Sequence, residues 1–145
     1  MATHIAKIRW HQQGDFNHQS FERRHEVAFQ EGVVLPAGGA GNDFGADPEQ
    51  LLAASMASCH MQTFLSLAAK KRLQVLSYSD DAEAVLGQRD DGKFWVEKII
   101  LNPQVEFGGD KIPDADTIQA MHEKSHQHCF IANSVAAAMV VEIKG

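Results

Sequence analysis

Residues 47–72, DPEQLLAASMASCHMQTFLSLAAKKR, decide how the rest of the chain is arranged. Asp47 suits a helix N-cap and Pro48 the first helical position, where a missing N–H costs nothing. Gln50 can reach back to close a capping box. From Leu51 to Ala69 nineteen residues carry no formal charge, about the span of a bilayer helix at ~1.5 Å per residue. Yet Ser55, Ser58, His60, Gln62, Thr63 and Ser66 interrupt the run, and Lys70, Lys71 and Arg72 follow it. Unpartnered polar groups in hydrocarbon each cost on the order of a kcal/mol or more. The segment therefore reads as a helix from Pro48 to about Arg72, apolar nearly all round and buried in a core or an interface, not as a membrane span.

On the N-terminal side, residues 4–10 (HIAKIRW) and 21–31 (FERRHEVAFQE) alternate as strands around a polar turn at Gly14 and Asp15. In the second, Phe21, Arg23, His25, Val27 and Phe29 share one face, so an apolar face carries a guanidinium and an imidazole with it. A glycine-rich stretch, residues 36–47 (PAGGAGNDFGAD), then leads to the helix. It lacks the lysine of a phosphate loop, and Asp43 and Asp47 would repel an anion, so it reads as a flexible connection. On the C-terminal side, residues 74–86 and 93–107 form a strand pair around Gly87, Asp90, Asp91 and Gly92. Pro113 and Asp114 open a second helix to about Gln127, and residues 135–143 read as a final strand. The expectation is an α+β fold in one domain, 1–145.

Composition agrees with one folded domain. The chain has 145 residues, 44% hydrophobic and 22% charged, enough apolar material for a core. A formal net charge of -6 argues against a nucleic-acid grip or a polybasic membrane contact. Two cysteines are too few for a disulfide scaffold. Residues Met1 to Trp10 lack the pattern of a secretory leader, so the expectation is a cytoplasmic protein.

The two cysteines are the first chemical candidates. Cys59 sits mid-helix beside Ser58 and His60, and Cys129 follows the second helix after His126 and His128. Free cysteine is among the most buried residue types and commonly inert. A reactive role needs a thiolate, and so a nearby positive charge to lower a pKa of ~8.5. Arg23, facing inward, is the donor, and Glu49 in the first helical turn is its natural carboxylate partner. Glu49 alone is equally a solvated carboxylate favoured by the helix dipole. The second candidate is His122-Glu123-Lys124-Ser125-His126, which fits the zinc pattern H-E-x-x-H, with both histidines on one helical face. A catalytic zinc needs a third protein ligand, and the rest of the chain after His126 offers only Glu142 as a carboxylate.

The run DPEQLLAASMASCHM (47–61) resembles the first signature of the OsmC/Ohr family of thiol-dependent peroxidases. CFIANSV (129–135) resembles the second. The order of elements fits as well, so the resemblance covers essentially the whole chain. It implies an OsmC-like α+β fold, antiparallel sheets wrapped around a long central helix in an intertwined homodimer, with active sites at the subunit interface. It implies Cys59 as peroxidatic and Cys129 as resolving cysteine, assisted by an arginine and by Glu49. The arginine is Arg23 or its neighbour Arg24, and strand parity favours Arg23. The expected activity is reduction of organic hydroperoxides to alcohols through a Cys59 sulfenic acid and a Cys59–Cys129 disulfide, with an external thiol or dithiol as reductant and no cofactor or metal. Leu52, Met56, Phe64 and Phe130 are the expected apolar pocket, which favours organic peroxides over hydrogen peroxide. The sequence departs from typical members at Phe130, where proline is commoner, at His60, where an apolar residue is common, and in the FERRH segment. The alternatives are a catalytically weak OsmC-like protein binding a small apolar ligand, and a zinc hydrolase using His122 and His126.

Overall fold

The computed structural model describes residues 2–142 and contains eight strands, two α-helices and a short 3-10 turn. It divides into two compact units, Met1–Leu51 and Leu52–Gly145. The mixed α+β class expected from the sequence is what is found.

The first unit is a three-stranded antiparallel sheet in the order β1 (Lys7–Arg9), β2 (His25–Ala28), β3 (Val34–Ala37). β1 and β2 are both shorter than the alternation suggested. β3 has no counterpart in that reading, and its last two residues, Pro36 and Ala37, fall in the stretch read as a glycine-rich loop. That loop is not a loose connection. The Asn42 side chain accepts from the Phe44 and Gly45 N–H groups and donates to the Gly39 carbonyl. Ala46 and Gly38 extend the ladder through bonds to Pro36 and Ala46 carbonyls. Gly45 is required here because a Cβ would stand 2.2 Å from the Pro36 oxygen.

Helix α1 (Pro48–Lys70) starts as its sequence dictates. The Gln50 N–H donates to Asp47 Oδ1 at 2.8 Å, and the Asp47 N–H donates to Gln50 Oε1 at 2.9 Å, a reciprocal capping box. It ends two residues before Arg72, because Arg72 takes a left-handed conformation (φ 59°). The Arg72 N–H bonds the Ala69 carbonyl and the Leu73 N–H the Ala68 carbonyl, which is a Schellman cap made without glycine. By length and composition α1 could cross a bilayer. In the second unit it buries one stripe, Ala53, Met56, His60, Phe64 and Ala68, at three- and four-residue spacing. The burial expected nearly all round is thus confined, within one chain, to this stripe.

The strand pair after α1 is broken into two ladders. β4 (Gln74–Asp80) pairs with β7 (Pro103–Gly108), and β5 (Glu83–Gln88) pairs with β6 (Phe94–Leu101). Asn102 makes the break: its N–H donates to Asp80 Oδ1 at 2.7 Å and its Nδ2 to the Asp81 carbonyl at 3.0 Å. Side-chain bonds there replace rungs of the ladder. Helix α2 (Ala115–His128) is capped by Asp114, which accepts from the Thr117 N–H. The closing strand β8 (Ala138–Val141) lies parallel to β6. It begins three residues later than residues 135–143 suggested, following a 3-10 turn at residues 132–134; Ile143 lies outside the described residues. Two cores result. Ala53, Met56, Ile99, Leu101 and Cys129 form one, and Phe64, Ala68, Leu73 and Met121 the other.

Candidate functional site

Cys59 and Cys129, seventy residues apart in sequence, meet in the second unit. Cys59 is delivered by the middle of α1 and Cys129 by the C-cap of α2, whose extended backbone turns the chain back towards α1. Both are free thiols. They differ in surroundings. Cys129 is fully buried. Burial pushes its thiol pKa up; the Ala132 N–H, which donates to Cys129 Sγ at 3.4 Å, opposes this, and the adjacent Cys59 side chain adds to the rise. Cys59 is only half-buried. It opens on a cleft of about 550 Å³ lined by Ser55, Ser58, Gln62, Thr63, Phe130 and Ile131, among others. One thiol is therefore open to the cleft while its neighbour is buried as a neutral S–H.

Of the four expected pocket residues, Phe130 lines this cleft, and it is 80% exposed. Met56 and Phe64 are fully buried in the two cores, and Leu52 packs half-buried against the first. The α1 side of the cleft is instead a row of hydroxyls and an amide. On a helix, positions 55, 58, 59, 62 and 66 fall on one face and 56, 60 and 64 on another, so Cys59 cannot share the face of Met56 and Phe64.

Arg23 and Glu49 belong to the first unit. β2 begins only at His25, so the parity that turned Arg23 inward with Val27 does not extend to it, and Arg23 is exposed. Its guanidinium lies 4.3 Å from the Phe21 ring centroid, and its stem packs against Gly39. Arg24 likewise stands 3.9 Å over Phe44. Neither pairs with Glu49: among the described residues the one ion pair is Arg89–Asp91. The expected Arg23–Glu49 partnership is corrected accordingly. With an aromatic face and solvent around it, the guanidinium does not need a carboxylate. Arg23 does border a cleft of about 340 Å³ with Ile8, Trp10, Phe21, His25 and Pro48.

The H-E-x-x-H histidines do not act as a pair. His122 is buried and its Nδ1 lies 3.0 Å from His60 Nε2, while His126 is exposed. Among the described residues no group of three His, Cys, Asp or Glu side chains is gathered to hold a metal. Sequence reasoning missed the His60–His122 contact. The one signal was His60 itself, a polar residue on the buried stripe of α1.

The comparisons bear on this geometry. A family model described as OsmC-like protein matches residues 39–144. No curated protein matches the chain. Among solved structures, an OsmC-like protein of unknown function from Vibrio cholerae is similar over 99% of this chain and 100% of its own, with 36% identity and a TM-score of 0.93. An organic hydroperoxide resistance protein from Legionella pneumophila has 21% identity and a TM-score of 0.64, covering 98% and 95% of the two chains. The organic hydroperoxide resistance protein OhrB of Bacillus subtilis has 18% identity and a TM-score of 0.66, covering 97% and 98%. At those lower identities the likeness is one of fold.

Proposed function

The chain belongs to the OsmC-like protein family, and on that premise we propose that it is a cysteine-based peroxidase that reduces organic hydroperoxides to alcohols. A role related to peroxide resistance is what the family supports. The observation that carries the finer reading is the unequal thiol pair, Cys59 open to a cleft and Cys129 buried against it.

In the proposed cycle the Cys59 thiolate attacks one peroxide oxygen, and the O–O bond breaks. The leaving alkoxide takes a proton and departs as an alcohol, while Cys59 keeps the other oxygen as a sulfenic acid. Cys129 gives up its proton and attacks that sulfur, releasing water and forming the Cys59–Cys129 disulfide. An external dithiol then restores both thiols by two exchange steps, becoming a disulfide itself. Arg23 is assigned to favour the Cys59 thiolate, with Glu49 assisting.

Glu49 and Cys59 are ten residues apart on α1, ~15 Å of axial rise, too far for direct contact along one helix. The proposed homodimer supplies Glu49 from a second copy. Phe94, Leu76 and Leu86, exposed by 81%, 63% and 57%, support such a partner, since large apolar side chains left open to water favour association. Phe130 and Ile131 at the mouth of the cleft favour an organic substituent on the peroxide.

Peroxide consumption with dithiothreitol as reductant tests the proposal. Cumene hydroperoxide is expected to be consumed at least tenfold faster than hydrogen peroxide. Equal rates for the two would remove the organic preference, and no consumption of either would remove the peroxidase.

A further inference from the structure

Cys59 and Cys129 are each one short step from a second buried pair. His60 follows Cys59 on α1, and His122 lies seven residues, two turns, before Cys129 on α2. Their rings are 0% and 2% exposed. His60 Nε2 and His122 Nδ1 are 3.0 Å apart, and the rings are nearly coplanar in tilt, 2° from parallel with centroids 5.3 Å apart. Phe64, one turn along α1, stacks on His122 at 4.4 Å. This contact is the side-chain hydrogen bond that ties α1 to α2 among the described residues.

A bond between these two atoms requires one ring to donate and the other to accept, so the accepting nitrogen is unprotonated and the protonation states of the two rings are linked. The remaining nitrogens, His60 Nδ1 and His122 Nε2, are buried without a hydrogen-bond partner among the described residues. All the polar capacity that the pair uses is thus spent on one contact. Breaking it would leave two more buried polar atoms unsatisfied. A slip of α2 by one turn, ~5.4 Å, would break it. The same slip would displace Cys129 by ~5.4 Å relative to Cys59, a large shift against the ~7 Å between Cα atoms that a disulfide tolerates. On the buried face of α2, His122, Ser125 and Cys129 fall in line at three- and four-residue spacing, so the histidine and the cysteine move together.

We propose that the His60–His122 bond is the register pin between the two helices, and that it positions Cys129 against Cys59 for disulfide formation. These are positioning residues: neither ring is assigned a contact with substrate. The inference deepens the peroxidase reading, but its test does not use peroxide, so the two can fail separately.

The test is redox equilibration of the full chain in buffers of glutathione and glutathione disulfide, read by intact mass after acid quench. One glutathione disulfide becomes two glutathiones while Cys59 and Cys129 each lose a hydrogen and join. The bond uses the Nε2 position of His60 and the Nδ1 position of His122. Glutamine places an amide atom near the former and asparagine near the latter. His60→Gln and His122→Asn are therefore expected to keep the equilibrium constant within about threefold of wild type. His60→Leu and His122→Leu are expected to lower it at least tenfold, ~30 mV in potential. The mismatched amides His60→Asn and His122→Gln, equal in polarity to the matched ones, are expected to behave like leucine. They also keep the test alive should a leucine variant fail to fold. Leucine variants with wild-type equilibria would overturn the proposal. So would matched and mismatched amides that weaken the disulfide alike, because then packing, not the bond, sets the thiols. Alternatively, normal glutathione behaviour with no consumption of cumene hydroperoxide would leave the pin standing and remove the peroxidase.

Discussion

His60 Nε2 and His122 Nδ1 are 3.0 Å apart inside the protein, and burial holds both imidazoles well below the ordinary histidine value, each at about 4. For His60 the neighbouring His122 and His126 push the same way. In the unfolded chain both rings titrate near ~6.5. Between these values the unfolded state binds protons that the folded state refuses, so stability rises with pH across the window.

The expected outcome is an unfolding free energy, read from urea titrations, that is flat above about pH 7 and falls as the pH drops from ~6.5 towards ~4, by an amount on the order of a few kcal/mol. The variant carrying both His60→Leu and His122→Leu should lose most of that slope. Equilibrium urea unfolding at half-unit pH steps checks this, and a wild-type midpoint unchanged from pH 7 to pH 4.5 would contradict it.

The Asp47–Gln50 box predicts a modest, local effect. Asp47→Ala removes the acceptor for the Gln50 N–H and should lower stability by ~1 kcal/mol. Urea unfolding at pH 7 reads this change. Asp47→Ser, which keeps a capping oxygen, should recover most of the loss.

At the other end of α1, Arg72 holds a backbone conformation that costs an L-residue ~1 kcal/mol. Its side chain is exposed. Arg72→Gly should therefore raise stability by up to ~1 kcal/mol, less the added freedom that glycine gives the unfolded chain. A thermal melt measures it, with a lower Tm as the contrary result.

The two arginines make separable predictions. Arg23→Ala should slow the reaction of the reduced protein with cumene hydroperoxide at least tenfold, while the glutathione equilibrium of the two cysteines stays within about twofold of wild type. Arg24→Ala should leave both nearly unchanged. Stopped-flow tryptophan fluorescence and the glutathione titration give the two readouts. Reversed sensitivities would transfer the role to Arg24.

What was legible in the sequence follows how local the deciding interaction is. The start of α1 was readable because Asp47, Pro48 and Gln50 act within one turn. Its end was not fully readable, because the Schellman cap is closed by Arg72 where glycine would have announced it. The strand pair after α1 looked continuous, since nothing local marks that Asn102 will bond Asp80 and Asp81 from twenty-two and twenty-one residues away. Arg23 was placed by extending a period-two pattern into a segment that is not strand, which begins only at His25. Cys59 and Cys129 were identified from their motifs. The surroundings of Cys59 were harder to foresee. Leu52, Met56 and Phe64 were grouped with it because they are apolar and near in sequence. Helical spacing sends Met56 and Phe64 to the other face and leaves hydroxyls at the cleft. The His60–His122 bond joins residues sixty-two positions apart and carried no pattern beyond an out-of-place histidine.

The most direct measurement is the intact mass of the reduced chain after one equivalent of cumene hydroperoxide, beside Cys59→Ser and Cys129→Ser. The proposed cycle predicts rapid loss of two hydrogens in the wild type, one added oxygen in Cys129→Ser, and no change in Cys59→Ser. A wild-type chain that stays reduced while the peroxide persists would contradict it.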